Sequence, residues 1–280
     1  MADPSTVLRI AAFSQGDQGG NPAGVLIAEQ LPAPAQMQKI AADVGFSETA
    51  FAMPDGNAWR VRYFAPQMEV PFCGHATIAL GAALAMREGD GRFALNINNA
   101  SISVEGRKEG DLFAASLQSP PTRNRAANVQ ETEQALALFG YDQDDLDPKI
   151  PPAIIHGGAD HIVLALGSRE KLAAMQYDMA RGRKLMQRQG WTTILLVHAQ
   201  TPQRFHSRNA FAAGGVYEDP ATGASTAAFA AYLRDLGWPH QGSIEVLQGE
   251  DMGSPSHLRA TIGTVRGGSI RISGTARLME

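Results

Sequence analysis

Apolar residues recur along the chain either every three to four residues, as in a helix, or every second residue, as in a strand. The two spacings predict short strands and helices in alternation. The segment "AQMQKIAADVG" places Met37, Ile40 and Val44 on one helical face, and Gly45 is typical of a helix end. The segment "WRVRYFAP" alternates apolar and charged residues, as a half-buried strand does. Both patterns continue to the end of the chain, so the sequence predicts a fold that contains helices and strands.

Two Ala-rich segments, "ATIALGAALAM" and "TGASTAAFAAYLRDLG", are apolar nearly all round. This pattern predicts two helices that are buried on every side. Each segment follows a Phe-Ala pair and a tight loop, and Cys73 and Pro220 occupy matching positions 147 residues apart (220 − 73). The weak repeat indicates a chain of two similar halves.

The pattern breaks in the segment "SPPTRNRAANVQ", where two prolines and a polar run predict a linker near residues 119–130. The predicted domains are an N-terminal lobe of residues 1–120 and a C-terminal lobe of residues 128–264. We expect the final strand, within residues 265–280, to return to the N-terminal lobe.

The segment "GFSETAFA" presents a carboxylate among apolar residues. If it is a strand, Phe46, Glu48 and Ala50 share one face. Glu48 could lie at the solvated rim of a sheet, because a buried and unpaired carboxylate is costly. Alternatively Glu48 could face a site, where a partly buried carboxylate is a typical general acid or base. The segment alone leaves both interpretations open.

Two other stretches carry candidate chemistry. In "PFCGHAT", Gly74 and His75 lie at a predicted helix start, where backbone N–H groups favour an anion. Cys73 is either a reactive thiol or a small buried residue. In "YEDPATGAST", Asp219 is either the N-cap of the second Ala-rich helix or a catalytic acid. Neither pair of alternatives is resolved by spacing.

Composition excludes several classes of protein. The 280 residues carry a net charge of −4 and show no cluster of Lys and Arg with aromatic residues, so we expect no nucleic-acid partner. A single cysteine, no signal-peptide pattern and no long apolar run lead us to expect a cytoplasmic protein without a membrane partner. The seven histidines show no metal-ligand spacing, and no phosphate-binding loop or serine-hydrolase elbow occurs.

Five motifs occur in an order and spacing that resemble the PhzF-like family, named for a phenazine-biosynthesis isomerase. They span roughly residues 20–256: "GNPAGV", "GFSETAF", "RYFAP…VPFCGHAT", "EDPATGAS" and "QGEDMGSPS". The resemblance implies an α+β, diaminopimelate-epimerase-like fold, in which each of two pseudo-symmetric lobes curls a mostly antiparallel sheet around a central helix, with the active site in the cleft. It also implies a homodimer and the isomerisation of trans-2,3-dihydro-3-hydroxyanthranilate without cofactor or metal.

The resemblance also assigns roles by position. Glu48 would take and return the carbon-bound proton, His75 and Asp219 would assist it, and Gly74 and Gly223 would offer backbone N–H groups. The other positions implied to contact a small carboxylic acid substrate are Asn21, Ser47, Cys73, Ala224 and Ser225. The chain departs from the family pattern at Ala224, where a hydroxyl is usual, and at Ser254, where an arginine is usual.

Two alternatives remain beside the isomerase. The first is an amino-acid epimerase or racemase that uses a carboxylate pair, since Cys73 has no second cysteine with which to form the thiol pair of related epimerases. The second is a non-catalytic dimer that binds a small molecule on the same fold. It predicts ligand binding without exchange of a carbon-bound proton.

Overall fold

The computed structural model describes residues 7–279, in which six α-helices and seventeen strands follow one another. Up to residue 118 the order is β1 (Leu8–Ser14), β2 (Asn21–Ile27), α1 (Pro34–Val44), β3 (Thr49–Asp55), β4 (Ala58–Ala65), β5 (Met68–Val70), α2 (Gly74–Glu88), β6 (Gly91–Asn96), β7 (Ser101–Glu109) and β8 (Leu112–Gln118).

The later elements are β9 (Arg123–Ala126), α3 (Val129–Phe139), β10 (Ala153–His156), β11 (Asp160–Ala165), α4 (Arg169–Ala173), α5 (Met179–Gln189), β12 (Thr193–Thr201), β13 (Arg204–Ala210), β14 (Glu218–Asp219), α6 (Gly223–Leu236), β15 (Ser243–Gln248), β16 (Ser256–Thr261) and β17 (Arg271–Leu278). The α+β class predicted from the sequence is confirmed. No helix within residues 7–279 is both long and apolar enough to cross a membrane.

The chain divides into two compact units. The first comprises the residues up to Gln118 together with those from Ser273 onward, and the second is Ser119–Ile272. In the first unit β17 pairs antiparallel with β1. In the second unit the segment predicted as a linker contains β9, which pairs antiparallel with β10. The sequence does not predict this strand, because its polar side chains do not alternate with apolar ones.

The first unit is built around α2, which is buried along most of its length as its all-round apolar pattern predicts. The helix packs against β1, β2, β7 and β8. Two glycines allow this close approach, since a Cβ on Gly106 would lie 2.1 Å from the carbonyl oxygen of Gly81. A Cβ on Gly81 would lie 2.5 Å from Val104 Cγ2, so neither position accommodates a side chain without movement of the helix.

The second unit packs helices on both faces of its sheet. On one face, Leu136 of α3 and Met186 of α5 join Leu164 and Leu196 of the strands in a buried cluster. On the other face lies α6, where Phe229 meets Phe205 of β13 edge to face at 5.0 Å between ring centroids. The strands are therefore apolar on both faces, as expected for a sheet that is covered on both sides.

A buried polar chain interrupts the α6 face of this sheet. His161 Nδ1 lies 2.7 Å from Thr193 Oγ1, and the Thr193 hydroxyl donates to Asn209 Oδ1 at 2.8 Å. Because the Thr193 proton goes to Asn209, His161 donates to Thr193 Oγ1 from its Nδ1. Burial lowers the pKa of His161 from 6.5 to about 3, since no water reaches the ring to solvate a charge.

We predict that His161 makes the second unit sensitive to acid. Its pKa is depressed in the folded chain, so the unfolded chain binds a proton that the folded chain does not, and stability falls as pH decreases from about 6.5 toward about 3. The contribution is up to ~1.4 kcal/mol per pH unit. His161→Gln should remove it, and urea unfolding at several pH values below neutrality would measure the difference. Parallel stability–pH curves for the two proteins would contradict this prediction.

Candidate active site

Glu48 lies in the loop between α1 and β3. The sequence suggested a strand that includes Glu48, but β3 begins one residue later, at Thr49. The reason is the left-handed C-cap Gly45, which ends α1 with a φ of 75° and is followed by a bend before the chain becomes extended. The Glu48 carbonyl accepts a hydrogen bond from the Gly24 N–H at 3.1 Å, and its side chain is 19% exposed.

The start of α2 supplies the neighbouring groups. Cys73 is the N-cap in extended conformation, Gly74 is the first helical residue, and His75 lies in the first turn. The first helical hydrogen bond runs from the Thr77 N–H to the Cys73 carbonyl at 3.0 Å. The N–H groups before Thr77 have no acceptor within the helix, so the positive end of the helix dipole lies beside His75.

His75 joins these residues into one cluster. Its Nε2 lies 3.4 Å from Glu48 Oε2 and 3.3 Å from Ser47 Oγ, while its Nδ1 lies 3.3 Å from Cys73 Sγ. The side chains of His75 and Cys73 are buried. The structure therefore brings together four of the residues predicted from the sequence, and it places Gly74 between two of them in the chain.

The cluster can perform two kinds of chemistry. A carboxylate beside an imidazole and a thiol can accept, hold and return a proton. The same three side chains offer ligand atoms that all lie within 4.8 Å of one another, which is a set able to hold a metal ion. Local spacing in the sequence does not reveal this set, because Glu48 and His75 come from different elements.

In the second unit, Asp219 does not cap a helix. Thr222 is the N-cap of α6, and the Thr222 hydroxyl donates to Asp219 Oδ2 at 2.5 Å. Asp219 ends β14 opposite Asn209 of β13. The N-cap interpretation of Asp219 is therefore wrong, because the cap is Thr222, three positions later, and the Asp219 carboxylate accepts from the Thr222 side chain.

Gln248, at the end of β15, holds the turn from Asp219 to Thr222. Its Nε2 donates to the Asp219 carbonyl at 2.6 Å and to Thr222 Oγ1 at 3.0 Å, and its Oε1 accepts from the Thr222 N–H at 3.2 Å. The Gln248 side chain is fully buried. The next residue, Gly249, lets the backbone of Ser254 approach closely, since a Cβ on Gly249 would lie 2.2 Å from the Ser254 carbonyl oxygen.

The residue before Asp219 is anchored separately. Glu218 receives two hydrogen bonds from Arg208, at 3.0 and 2.6 Å, and both side chains are buried. Arg208 also donates to the Ala173 carbonyl at 2.8 Å. These bonds and those of Gln248 leave little freedom in the backbone that carries Asp219.

The other predicted site residues lie at the starts of elements. Asn21 is the buried first residue of β2, and Gly223 and Ala224 begin α6. Ser225 is fully buried, and its hydroxyl donates to the Thr222 carbonyl at 3.1 Å. Thr222 and Gln248 were not among the predicted site residues. The polar Gln-Gly pair that ends the alternating segment "SIEVLQG" was the available signal for Gln248.

Comparison with known proteins gives a consistent set of relatives. The family described as "Phenazine biosynthesis-like protein" (PhzC-PhzF) matches residues 10–280. Trans-2,3-dihydro-3-hydroxyanthranilate isomerase of Pseudomonas fluorescens is 32% identical over 257 residues, which cover 90% of this chain and 88% of the relative. "Uncharacterized isomerase YddE" of Escherichia coli (strain K12) is 28% identical and covers 98% of this chain and 96% of its own.

Solved structures show the same fold. A PhzF family protein of Bacillus anthracis is similar with a TM-score of 0.84 at 22% identity, covering 98% of this chain and 96% of its own. A probable proline racemase of Agrobacterium radiobacter K84 is similar with a TM-score of 0.66 at 12% identity, covering 98% of this chain and 90% of its own. The epimerase-like fold implied by the sequence motifs is confirmed.

We predict that Gln248→Leu destabilises the second unit. Leucine has a volume similar to that of glutamine, but it leaves the part-buried Thr222 N–H and Asp219 carbonyl without their hydrogen bonds to Gln248, which costs about 1–3 kcal/mol. Urea unfolding measures the change. Gln130→Leu is the matched control, because Gln130 is exposed on α3 and its replacement should stay within about 0.5 kcal/mol. Equal stabilities for the two variants would refute the role given to Gln248.

Proposed function

This chain belongs to the phenazine biosynthesis-like family, and we propose that it moves a carbon-bound proton on a small carboxylic acid without a cofactor. It is an isomerase, the class to which its named relatives belong. The observation that carries the proposal is the contact of Glu48 with His75 beside the first turn of α2, at 3.4 Å. A partly buried carboxylate beside a source of positive potential is suited to reversible proton abstraction.

The proposed reaction is a balanced proton shift. Glu48 removes a proton from one carbon, the electron pair of that C–H bond moves into the adjacent π system, and Glu48 returns the proton to another carbon. Negative charge that develops on the substrate is stabilised by the backbone N–H groups at the start of α2, which have no acceptor within the helix. His75 contacts Glu48, Ser47 and Cys73, so it holds the carboxylate in place and can exchange a proton with it.

Asp219 is the proposed second polar group that contacts the substrate. Support comes from the way in which the chain holds it: Thr222 donates to its carboxylate, and the buried Gln248 holds the surrounding backbone. Such rigidity is expected of a group that must be oriented before the substrate binds. The substrate class proposed is a small cyclic acid similar to trans-2,3-dihydro-3-hydroxyanthranilate, the compound in the name of the Pseudomonas fluorescens isomerase.

An epimerase or racemase is the second candidate. It is favoured by the contact between Cys73 and His75, which gives the cluster a thiol in addition to a carboxylate. A cysteine thiolate is a general base of the kind that can remove a proton from the carbon next to a carboxylate. This reading predicts exchange at the α-carbon of an amino acid rather than movement of a double bond.

We further propose that the protein is a homodimer, as the family resemblance implies. Light scattering coupled to gel filtration would then give twice the chain mass of 29.8 kDa. A mass equal to one chain at all concentrations would refute the dimer. The cytoplasmic location expected from the single cysteine stays a prediction.

The test of function is proton NMR in deuterated water. The enzyme is incubated with trans-2,3-dihydro-3-hydroxyanthranilate and with a panel of amino and cyclic carboxylic acids. We expect isomerisation or deuterium uptake at carbon, and a rate that falls by about 100- to 10,000-fold in Glu48→Gln, because the variant keeps the shape but cannot accept the proton.

Glu29→Gln is the matched control, since the Glu29 side chain is 82% exposed and pairs only with Arg87 among the contacts described. It should retain the wild-type rate. Exchange that persists in Glu48→Gln would remove Glu48 from the acid/base role. Ligand binding without exchange in any compound of the panel would favour the non-catalytic binding protein.

A further inference from the structure

The cluster at the start of α2 contains the three kinds of ligand atom that a borderline-soft metal ion prefers. Cys73 offers a sulfur, His75 a ring nitrogen and Glu48 a carboxylate oxygen, all within 4.8 Å of one another. The Cys73 and His75 side chains are buried, and the Glu48 side chain is 19% exposed. The backbone of the first helical turn places Cys73 and His75, so two of the three donors are held by the same rigid element.

Two of the three donor separations lie within the reach of a single ion, and the third, between Cys73 Sγ and the Glu48 carboxylate, is at most 4.8 Å. Zinc–sulfur bonds are about 2.3 Å and zinc–nitrogen bonds about 2.0 Å, so one ion can join a sulfur and a nitrogen that are up to about 4.3 Å apart. Cys73 Sγ is 4.0 Å from His75 Nε2, within this limit. His75 Nε2 is 3.4 Å from Glu48 Oε2, also less than the sum of the two bonds to zinc.

We propose that this cluster binds one zinc ion, through Cys73, His75 and Glu48, and that the bound ion inhibits the enzyme reversibly. A thiolate and an imidazole favour zinc over magnesium or calcium, which prefer oxygen ligands. Three protein ligands leave a fourth coordination position open to water or to a carboxylate. Zinc is here an inhibitor that competes for the site and not a cofactor of the reaction.

Inhibition follows from the identity of one ligand. A carboxylate oxygen that coordinates zinc cannot accept a proton from carbon, so the bound ion removes the acid/base group from the reaction. This consequence rests on the proposed function of Glu48. The binding itself does not, because it depends only on the three donor atoms and their spacing.

Binding is tested with the metal alone. Cobalt(II), which occupies zinc sites and absorbs light, should give a sulfur-to-cobalt charge-transfer band with one ion per chain, and zinc should abolish the band while magnesium should not. Cys73→Ser should lose the band. Glu48→Gln should keep the band but weaken zinc affinity by at least ~10-fold, the loss expected when even an outer contact of a metal site is removed.

His156→Gln is the matched control, because His156 forms a comparable pair with Asp160, at 2.6 Å, elsewhere in the chain. It should leave stoichiometry and affinity unchanged. Absence of the charge-transfer band in the wild-type protein would overturn the proposal. So would zinc affinity that is equal in wild type, Cys73→Ser and Glu48→Gln, with circular dichroism showing that the variants are folded.

Inhibition is tested in the isomerisation assay. Zinc should lower the wild-type rate, a chelator should restore it, and substrate should oppose zinc competitively. If no compound is isomerised, the proposed function fails, and the cobalt experiment still decides whether zinc binds. If zinc binds through Cys73 and the isomerisation rate does not change, the inhibitory part of the proposal is wrong.

Discussion

The burial of helix α2 is the constraint on which the candidate site depends. A helix that is apolar all round can be covered along its sides, but the first N–H groups of its backbone have no acceptor within the helix. The chain places Cys73, Gly74 and His75 at this end, and Gly81 and Gly106 allow the helix to approach its sheet closely. The positive end of the helix dipole therefore lies beside the side chains of the candidate site.

The second unit meets the same constraint in another way. The N-cap Thr222 makes no capping bond with its side chain; its hydroxyl donates to Asp219 and accepts from Gln248. A distant residue, Gln248, accepts from the Thr222 N–H instead. Thr222 is thereby available to orient the Asp219 carboxylate. The cost of burying the Gln248 amide is offset by its three hydrogen bonds.

Proton transfer and zinc ligation make similar demands on a site. Both need donor atoms that are close together, shielded from water and able to lose a proton. A cluster of carboxylate, imidazole and thiol meets those demands for either purpose, so susceptibility to a thiophilic metal is a physical consequence of building this acid/base site with Cys73. A serine or aspartate at that position would retain polarity with a lower preference for zinc.

The sequence by itself determined helices α1, α2 and α6, because they depend on local spacing, and the left-handed C-caps Gly45 and Gly237 end two of them. It also determined the family, since five motifs keep their order. The strand β9 and the role of Gln248 were decided only by the tertiary structure. Each depends on hydrogen bonds between residues far apart in the chain. The contacts among Glu48, His75 and Cys73 likewise exist only because the loop that carries Glu48 folds onto the end of a buried helix.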